Sequence, residues 1–283
     1  MKKDKLVIPV LKWVGGKRQL LSEINKYKPK SITTYYEPFV GGGAVLFSLQ
    51  QKNVVVNDIN KELINVYTVI KDNVDELICE LENKEKYLNT SDCFYSLREI
   101  DRQQSKYISL TNIQKAARII YLNKTCYNGL YRVNSLGEFN SPFGKYKNPN
   151  IVNSQVLKAV SNYFNNSNIT FLNGDFEDSV NNISKGSFVY FDPPYSPISK
   201  TSNFTGYNEN GFGDLEQIRL KKLCDELNKK GVNFLLSNSD CKFIRDLYKD
   251  YEIIEIKAKR SINSSGNKRG KVSEVLIRNY GKI

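Results

Sequence analysis

The alternation of apolar and polar residues divides the chain into three stretches, of which the first ends at Asp58. Two apolar runs, TTYYEPF and NVVVND, flank three glycines and a short apolar segment, AVLFSLQQ. β-Branched and aromatic runs on both sides of an apolar helical segment are typical of a strand–helix–strand crossover. This stretch therefore predicts a strand, a glycine turn, a helix and a second strand.

The second stretch, residues 70–164, is more polar and predicts helices. Apolar residues recur at helical spacing over 74–87, 91–104 and 112–122, among many Lys, Arg and Tyr side chains. A segment rich in Gly, Asn and Pro follows, CYNGLYRVNSLGEFNSPFGKYKNPN. Because long structured loops usually carry function, we expect a helical, basic insertion that includes a functional loop.

From residue 169 onward the pattern again predicts alternating strands and helices. SFVYF predicts an apolar strand that ends at Asp192 and two prolines, and an amphipathic helix follows over 215–229, with Gly231 behind it. VNFLLSN predicts the next strand, and EIIEIKA and VSEVLIRNY predict a terminal antiparallel pair. We expect one α/β sheet domain, formed by both ends of the chain and interrupted by the insertion.

The charge of the chain favours a polyanionic partner. Lys and Arg number 42 against 30 Asp and Glu, which gives a net charge of +12. Such an excess serves only solubility in many proteins, but it is typical of proteins that bind nucleic acid. The apolar runs are too short to span a bilayer, and the run near the N-terminus lacks the cleavage pattern of a signal peptide. These features predict a cytoplasmic protein that binds nucleic acid and does not enter a membrane.

Two residue types narrow the chemistry. The chain has no histidine, which excludes imidazole bases, Ser-His-Asp triads and histidine metal sites. Its five cysteines show no C-x-x-C spacing, so they predict reduced thiols rather than a zinc site or a disulfide framework. The chemistry must then use carboxylates, amides, main-chain groups or a cofactor.

A candidate cofactor site lies in EPFVGGG and the strand after it. Glycines between a strand and a helix let the main chain approach a ligand, although glycine turns are also common without one. Asp58 ends the next strand, the position at which doubly wound folds bind ribose hydroxyls. Leu46 occupies the place of the third glycine in a dinucleotide fingerprint, which counts against a dinucleotide cofactor.

A candidate catalytic site is Asp192-Pro193-Pro194-Tyr195, directly after SFVYF. The prolines end the strand and leave carbonyl acceptors, the aspartate adds a charged acceptor, and the tyrosine adds a flat face. Together they predict a pocket that accepts two N–H bonds and stacks a planar, amino-bearing base. At the N-terminus, KWVGGK places Trp13 and two glycines before a helical run. That motif fits either an anion-binding helix start or a core tryptophan flanked by solvated lysines.

These motifs together resemble those of the Dam family of DNA adenine methyltransferases. KWVGGK, EPFVGGG, Asp58, YNGLYR, FNSPFGKYKNP and DPPY occur in the family's order over nearly the whole chain, most similarly to the DpnM/MboI-like, GATC-specific branch. The resemblance implies a class I methyltransferase fold, Rossmann-like with a seven-stranded mixed sheet and a helical target-recognition insertion. It assigns residues 1–69 and 165–283 to the catalytic S-adenosylmethionine-binding domain and residues 70–164 to the DNA target-recognition domain.

The resemblance also implies the activity and the residues that carry it. A methyl group passes from S-adenosyl-L-methionine, without a metal, to N6 of adenine in double-stranded DNA after base flipping. The implied catalytic residues are Asp192, Pro193, Pro194 and Tyr195. The implied cofactor contacts are Trp13, Lys17, Phe39, Gly41, Gly43, Asp58, Asp175 and Asp192. The implied DNA contacts, among which Arg132 is assigned to a guanine, are Lys12, Tyr127, Asn128, Leu130, Arg132, Pro142, Lys145 and Tyr146.

Two further loops are expected to take part in binding the DNA. We expect residues 196–212 to form a lid over the extruded base, with an ordinary solvated connection as the alternative, and the basic tip 261–271 to grip phosphates.

An RNA or cytosine-N4 methyltransferase, a catalytically silent DNA-binding module and a nicotinamide dehydrogenase fit the motifs less well. A restriction–modification system, a phage and a housekeeping role all stay open as the biological context.

Overall fold

A computed structural model of the chain describes residues 3–197, 211–259 and 271–281. Its α-helices are α1 Leu21–Tyr27, α2 Ala44–Leu49, α3 Lys61–Asp72, α4 Val74–Leu81, α5 Ser91–Arg98, α6 Gln104–Ser109, α7 Asn112–Thr125, α8 Ser154–Asn165, α9 Asp214–Lys229 and α10 Lys242–Leu247. Its strands are β1 Tyr35–Glu37, β2 Asn53–Asn57, β3 Asn168–Leu172, β4 Phe188–Phe191, β5 Asn233–Ser239, β6 Glu252–Lys259 and β7 Lys271–Arg278. None of the helices within these residues combines the length and the apolar character that a membrane crossing requires.

The strands form a seven-stranded mixed sheet in the order β3-β2-β1-β4-β5-β7-β6. β1 pairs in parallel with β2 and β4, and β4 pairs in parallel with β5. β7 lies antiparallel between β5 and β6. The predicted α/β class and the predicted terminal antiparallel pair are thus confirmed. Since parallel strands end at one common edge, the residues that follow β1, β4 and β5 are brought together there, Asp192 among them.

The central position of β4 explains where the Asp-Pro-Pro-Tyr segment begins. All four residues of β4 are buried, as expected for a continuous apolar run in a strand that is covered on both faces. Pro193 has no main-chain N–H to donate to a neighbouring strand, so the ladder cannot continue through it. Asp192 is therefore the first residue beyond the strand, and its side chain stands at the carboxyl edge of the sheet.

Two helices of the middle stretch are shorter than their apolar pattern predicts. The helix expected over 74–87 ends at Leu81, because the Asn83 side chain accepts hydrogen bonds from the N–H groups of Glu85 and Lys86, both at 3.1 Å. Such local bonds offer the main chain an alternative to further helical turns. The helix expected over 91–104 ends at Arg98 and continues as a 3-10 turn, Glu99–Arg102.

The described residues belong to two compact units. The first consists of Met1–Gly16, Gly41–Lys52 and Asp58–Gly174, and it contains α2 to α8 with β3. The second consists of Lys17–Val40, Asn53–Asn57 and Asp175–Ile283, and it contains α1, α9, α10 and the other strands. Residues 70–164, the predicted recognition domain, lie inside the first unit. The lid predicted at 196–212 and the tip predicted at 261–271 lie, apart from their ends, outside the described residues.

Candidate functional site

In the second unit, the Asp192 carboxylate is held by two donors on one oxygen. Oδ1 accepts the Lys17 ammonium at 2.7 Å and the Ser237 hydroxyl at 2.9 Å. Lys17 belongs to a 3-10 turn near the N-terminus, whereas Ser237 lies on β5, beside β4. The side chains of Lys17 and Asp192 are 9% and 18% exposed, so the ion pair is largely shielded from water. Both bonds fall on Oδ1, so Oδ2 accepts none of the bonds described for this carboxylate.

The protonation of Asp192 is set by opposing effects. Burial raises the pKa of its carboxyl group, because water no longer solvates the charged form. The Lys17 ammonium and the Ser237 hydroxyl oppose that rise, since both stabilise the carboxylate. The arrangement thus keeps a charged acceptor in a dry environment, where a hydrogen bond to it is stronger than in water.

Tyr195 is fixed close to the same ion pair. The Lys17 nitrogen lies over its ring, 4.5 Å from the centroid, and the phenol donates a hydrogen bond to the Glu274 carboxylate at 2.9 Å. Burial, with the charges of Asp192 and Glu274 nearby, raises the pKa of the Tyr195 phenol well above its ordinary value. The hydroxyl therefore stays protonated and acts as a donor. The Pro194 carbonyl, expected as a free acceptor, instead accepts the Gln217 amide at 2.9 Å.

Phe39 and Asp175, both expected near the cofactor, meet around one phenylalanine of the second unit. The Phe39 ring stacks on Phe176 at 5.3 Å and meets Phe212 edge-on at 5.4 Å. Asp175 Oδ1 accepts the Arg219 guanidinium at 2.8 Å, and that guanidinium also lies over the Phe176 ring. The structure thus gives Asp175 an ion-pair partner that the sequence pattern did not predict.

In the first unit, the glycine turn and the strand-end aspartate are joined directly. Asp58 Oδ2 accepts the Gly41 N–H at 2.9 Å, and Oδ1 accepts the Asn60 N–H at 3.0 Å. The Tyr67 hydroxyl donates to the Gly41 carbonyl at 2.7 Å. Burial raises the pKa of Asp58, and the two main-chain donors counteract it. The carboxylate is therefore held in one orientation with lone pairs to spare, as a diol-binding group requires.

Local geometry accounts for two of the glycines. Gly41 and Gly43 have φ angles of +47° and +69°, which favour residues without a side chain. A Cβ at Gly41 would lie 3.0 Å from the Trp13 ring, and one at Gly43 would lie 2.8 Å from the Phe47 ring. Trp13 itself stacks on Tyr131 with centroids 4.5 Å apart. The half-buried indole thus covers the glycine turn, and Lys17, which the core-tryptophan alternative places in solvent, is buried.

The expected DNA contact Lys12 is fastened to the loop that follows α7. The buried Asn123 side chain accepts the Lys12 N–H at 2.9 Å and donates to the carbonyls of Lys12 and Gly129 at 2.8 and 3.1 Å. A Cβ at Gly129 would overlap the Lys12 side chain, so glycine is required where that side chain crosses the turn. The Lys12 nitrogen ends 6.0 Å from the centre of the Tyr146 ring.

The loop itself is an irregular antiparallel hairpin. Isolated bridges join Cys126 to Phe143 and Val133 to Phe139, and the Asn140 N–H donates to the Arg132 carbonyl at 2.9 Å. The Arg132 Nε donates to Asn140 Oδ1 at 2.7 Å, which holds the guanidinium against the hairpin. Of the expected DNA contacts, Leu130 is half-buried and the others are exposed, namely Lys12, Tyr127, Asn128, Arg132, Pro142, Lys145 and Tyr146.

Comparison with known proteins decides between the competing functions. Residues 13–262 match the family of D12 class N6 adenine-specific DNA methyltransferases. The chain belongs to this family. The predicted enzyme class is thereby confirmed, and a silent binding module or a dehydrogenase is set aside.

Relatives of this adenine methyltransferase match over nearly the full length. This chain is 43% identical over 282 residues to the type II methyltransferase M1.LlaDCHI of Lactococcus lactis subsp. cremoris, with 99% of each chain covered. It is 46% identical to M.MjaIII of Methanocaldococcus jannaschii, covering 97% of this chain and 99% of that one. It is 36% identical to the DNA adenine methylase of Serratia marcescens, covering 94% and 96%.

Several residues of the candidate site in this methyltransferase belong to no sequence motif. Ser237 stands out only as a polar residue in the buried run of β5, and Gln217 and Glu274 carry no motif. Ile59 is 77% exposed directly after Asp58, and an isoleucine next to the aspartate that is expected to bind ribose indicates an apolar contact surface there. Among the residues that the structure describes, no group of acidic or cysteine side chains is arranged to hold a metal ion.

Proposed function

We propose that this methyltransferase transfers the methyl group of S-adenosyl-L-methionine to N6 of an adenine extruded from duplex DNA, within GATC. The observation that carries the proposal is the Asp192 carboxylate, which stands just beyond a buried central strand and is anchored through Oδ1 by Lys17 and Ser237. An ionised acceptor with a free oxygen, beside the flat ring of Tyr195, suits an aromatic amino group. Neither feature is needed for binding DNA alone.

The residues of the glycine turn suit the proposed methyl donor. The donor supplies an electrophilic methyl group on a positively charged sulfur. Asp58, oriented by Gly41 and Asn60, offers acceptors for the ribose hydroxyls, and the exposed Ile59 offers an apolar surface for the adenine ring. We assign Trp13, Lys17, Phe39, Gly41, Gly43, Asp175 and Asp192 as further contacts of the methyl donor.

The target amino group needs help because its lone pair is conjugated with the purine ring. Acceptors for both amino protons favour a pyramidal nitrogen and free that lone pair. Asp192 Oδ2 supplies the first acceptor in our proposal. Since the Pro194 carbonyl already accepts the Gln217 amide, we assign the second acceptor to the Pro193 carbonyl. The side chains thus orient the nucleophile and exclude water from it.

Extruding the base costs free energy that the Tyr195 ring offsets. Removing a base from the duplex costs a few kcal/mol, and stacking on an aromatic side chain returns about 1–3 kcal/mol per base. The Asp-Pro-Pro-Tyr segment places a charged acceptor and an aromatic ring within four residues, as such a pocket requires. This proximity supports base flipping as part of the proposed reaction.

The proposed activity is tested by the fate of a labelled methyl group. Duplex DNA incubated with the protein and methyl-labelled S-adenosylmethionine should yield label in N6-methyladenine after digestion to nucleosides. The control is a duplex of the same length whose recognition site contains no adenine, incubated with the same labelled methyl donor. Label in N4-methylcytosine, or label only when RNA replaces DNA, would contradict the proposal.

We assign target recognition to residues 70–164 together with Lys12. The exposed hairpin residues and the lysine that Asn123 holds against Gly129 support this assignment, because Lys12, Arg132 and Lys145 are exposed cations that a polyanion can reach. The resemblance of YNGLYR and FNSPFGKYKNP to the GATC-specific branch supports GATC as the recognition sequence in DNA. Relatives named type II methyltransferases support a restriction–modification context for this chain as well.

Arg132→Ala is expected to erode the preference for one base pair of GATC. Asn140 accepts Nε at its side chain and Nη2 at its carbonyl, the latter at 3.2 Å, so Nη1 and the second hydrogen of Nη2 are the donors that we assign to O6 and N7 of a guanine. Such a pair contributes roughly 1–3 kcal/mol of discrimination. Methylation rates on GATC and on its single-substitution variants measure the effect, with the exposed Lys147→Ala as a control that removes an equal charge. If Arg132 only touches phosphate, all sites weaken equally and the ratios stay unchanged.

A further inference from the structure

The phenol of Tyr195 has a partner outside every motif of the chain. Its hydroxyl donates to Glu274 Oε2 at 2.9 Å, and Glu274 lies on β7, which pairs with β5. A buried tyrosine hydroxyl normally requires such a partner, and a bond to a charged acceptor is stronger than one to a neutral acceptor. The bond therefore restricts both the tilt and the position of the ring at its far end.

The main chain on both sides of Tyr195 is held by a pair of buried amides. Asn238 Oδ1 accepts the N–H groups of Ser196 at 3.1 Å and Ser239 at 2.8 Å, so this atom must be the oxygen. Asn238 Nδ2 then donates to Gln217 Oε1 at 3.0 Å, which leaves Gln217 Nε2 to donate to the Pro194 carbonyl at 2.9 Å. The chain of bonds assigns both amides without ambiguity.

These amides are deep in the protein, where they cannot exchange partners with water. Gln217 of α9 is 1% exposed and Asn238 of β5 is 0% exposed. Buried polar groups that are fully paired make a local structure rigid, because each alternative arrangement leaves a group unpaired. The peptide groups before and after Tyr195 are thus fixed by two elements, and the ring is fixed by a third.

We propose that Glu274, Gln217 and Asn238 are positioning residues that hold the Tyr195 ring in the orientation for stacking on the target adenine. They act through Tyr195 and do not touch the substrate. The proposal rests on the proposed function, since it presumes that the ring receives a base. It assigns a supporting role in the candidate site to residues from β7, α9 and β5. No motif of the sequence indicates any of these three residues.

A double-mutant cycle tests the proposal. Glu274→Ala should lower the single-turnover methylation rate about tenfold, as expected for losing a bond to a charged group, while DNA affinity changes less than about twofold. Tyr195→Phe should lose a similar factor, because it removes the same bond and keeps the ring. The double variant should be no slower than the slower single variant, since the two changes remove one interaction. Glu274→Gln should keep most of the rate, because its carbonyl oxygen can accept the same hydroxyl.

Fluorescence reports the ring's role separately from folding. With 2-aminopurine at the target position, Glu274→Ala should show weaker quenching of the extruded base, while its thermal midpoint stays near that of Glu274→Gln. Glu255→Ala, which removes an exposed carboxylate of the adjacent β6 that contacts Arg245, is the matched control and should behave as the wild type.

The outcomes distinguish a failure of the positioning role from a failure of the proposed methylation activity. If the effects of Glu274→Ala and Tyr195→Phe multiply in the double variant, Glu274 does not act through the hydroxyl and the proposal is overturned. A wild-type rate in Gln217→Met, which can neither donate to the Pro194 carbonyl nor accept from Asn238, would overturn the assigned role of the amide pair. A wild-type protein that leaves adenine unmethylated would instead contradict the proposed function, before any variant is compared.

Discussion

Asp192→Ala is expected to lower the rate of methyl transfer by about 100- to 10,000-fold, the range found when a group that handles a reacting proton is removed. In the proposed reaction the carboxylate is the charged acceptor for the target amino group, and neither Lys17 nor Ser237 can replace it, because both donate to it. Methylation measured under single-turnover conditions isolates this step from product release. A variant that keeps more than about a tenth of the wild-type rate would contradict the role of the carboxylate.

The same variant should bind DNA within a few-fold of the wild type. Phosphate contacts dominate affinity for duplex DNA, and their number follows from the salt dependence, with a log–log slope of about −0.9 for each phosphate contacted. The slope should be the same for the wild type and for Asp192→Ala, because the substitution removes no cation. An altered slope would show that the variant had lost more than its catalytic carboxylate.

Lys17→Met is expected to move the acid limb of the pH–rate profile toward higher pH. The proposed reaction needs ionised Asp192, so the rate should fall as pH drops through the pKa of that carboxyl group. Burial raises this pKa and Lys17 opposes the rise, so removing the ammonium raises the pKa further. The rate should fall at least about tenfold at neutral pH, since a buried charge has lost its partner, and it should recover as pH increases.

Arg18→Met is the matched control for this experiment. It removes an exposed cation from the neighbouring position and should leave the pH profile of the wild type unchanged. A Lys17→Met profile that is lower at every pH but not displaced would mean that the lysine contributes cofactor binding alone. That result would favour the role that the family resemblance implies over the ion pair with Asp192.

The sequence predicted the sheet well because its signals there are local. A run of apolar residues, closed by prolines, identifies β4 and the position of Asp192 whatever surrounds them. The terminal pair β6 and β7 is likewise predicted by its own β-rich pattern. Helix ends in the middle stretch were predicted less well, because a single side chain such as Asn83 diverts the main chain without changing the apolar spacing.

The partners of the site residues could not be predicted, because they depend on how distant segments pack. Lys17 and Asp192 are far apart in the chain, and nothing in KWVGGK indicates that its second lysine reaches the Asp-Pro-Pro-Tyr segment. The bond from Gln217 to the Pro194 carbonyl depends on which face α9 turns inward. The motifs predict which residues form the candidate site, whereas the structure identifies what restrains them.

The side chains that restrain Asp192 and Tyr195 belong to a different unit from those that restrain Lys12 and Arg132, and this bears on how such enzymes diverge. The restraints described for Asp192 and Tyr195 come from Lys17, α9, β5 and β7, within the second unit. Those described for Lys12 and Arg132 come from Asn123 and Asn140, within the first. Substitutions in the hairpin therefore change none of the residues that restrain Asp192 and Tyr195. If the hairpin reads the target as proposed, a lineage can acquire new target sequences through changes in one unit while selection preserves the other.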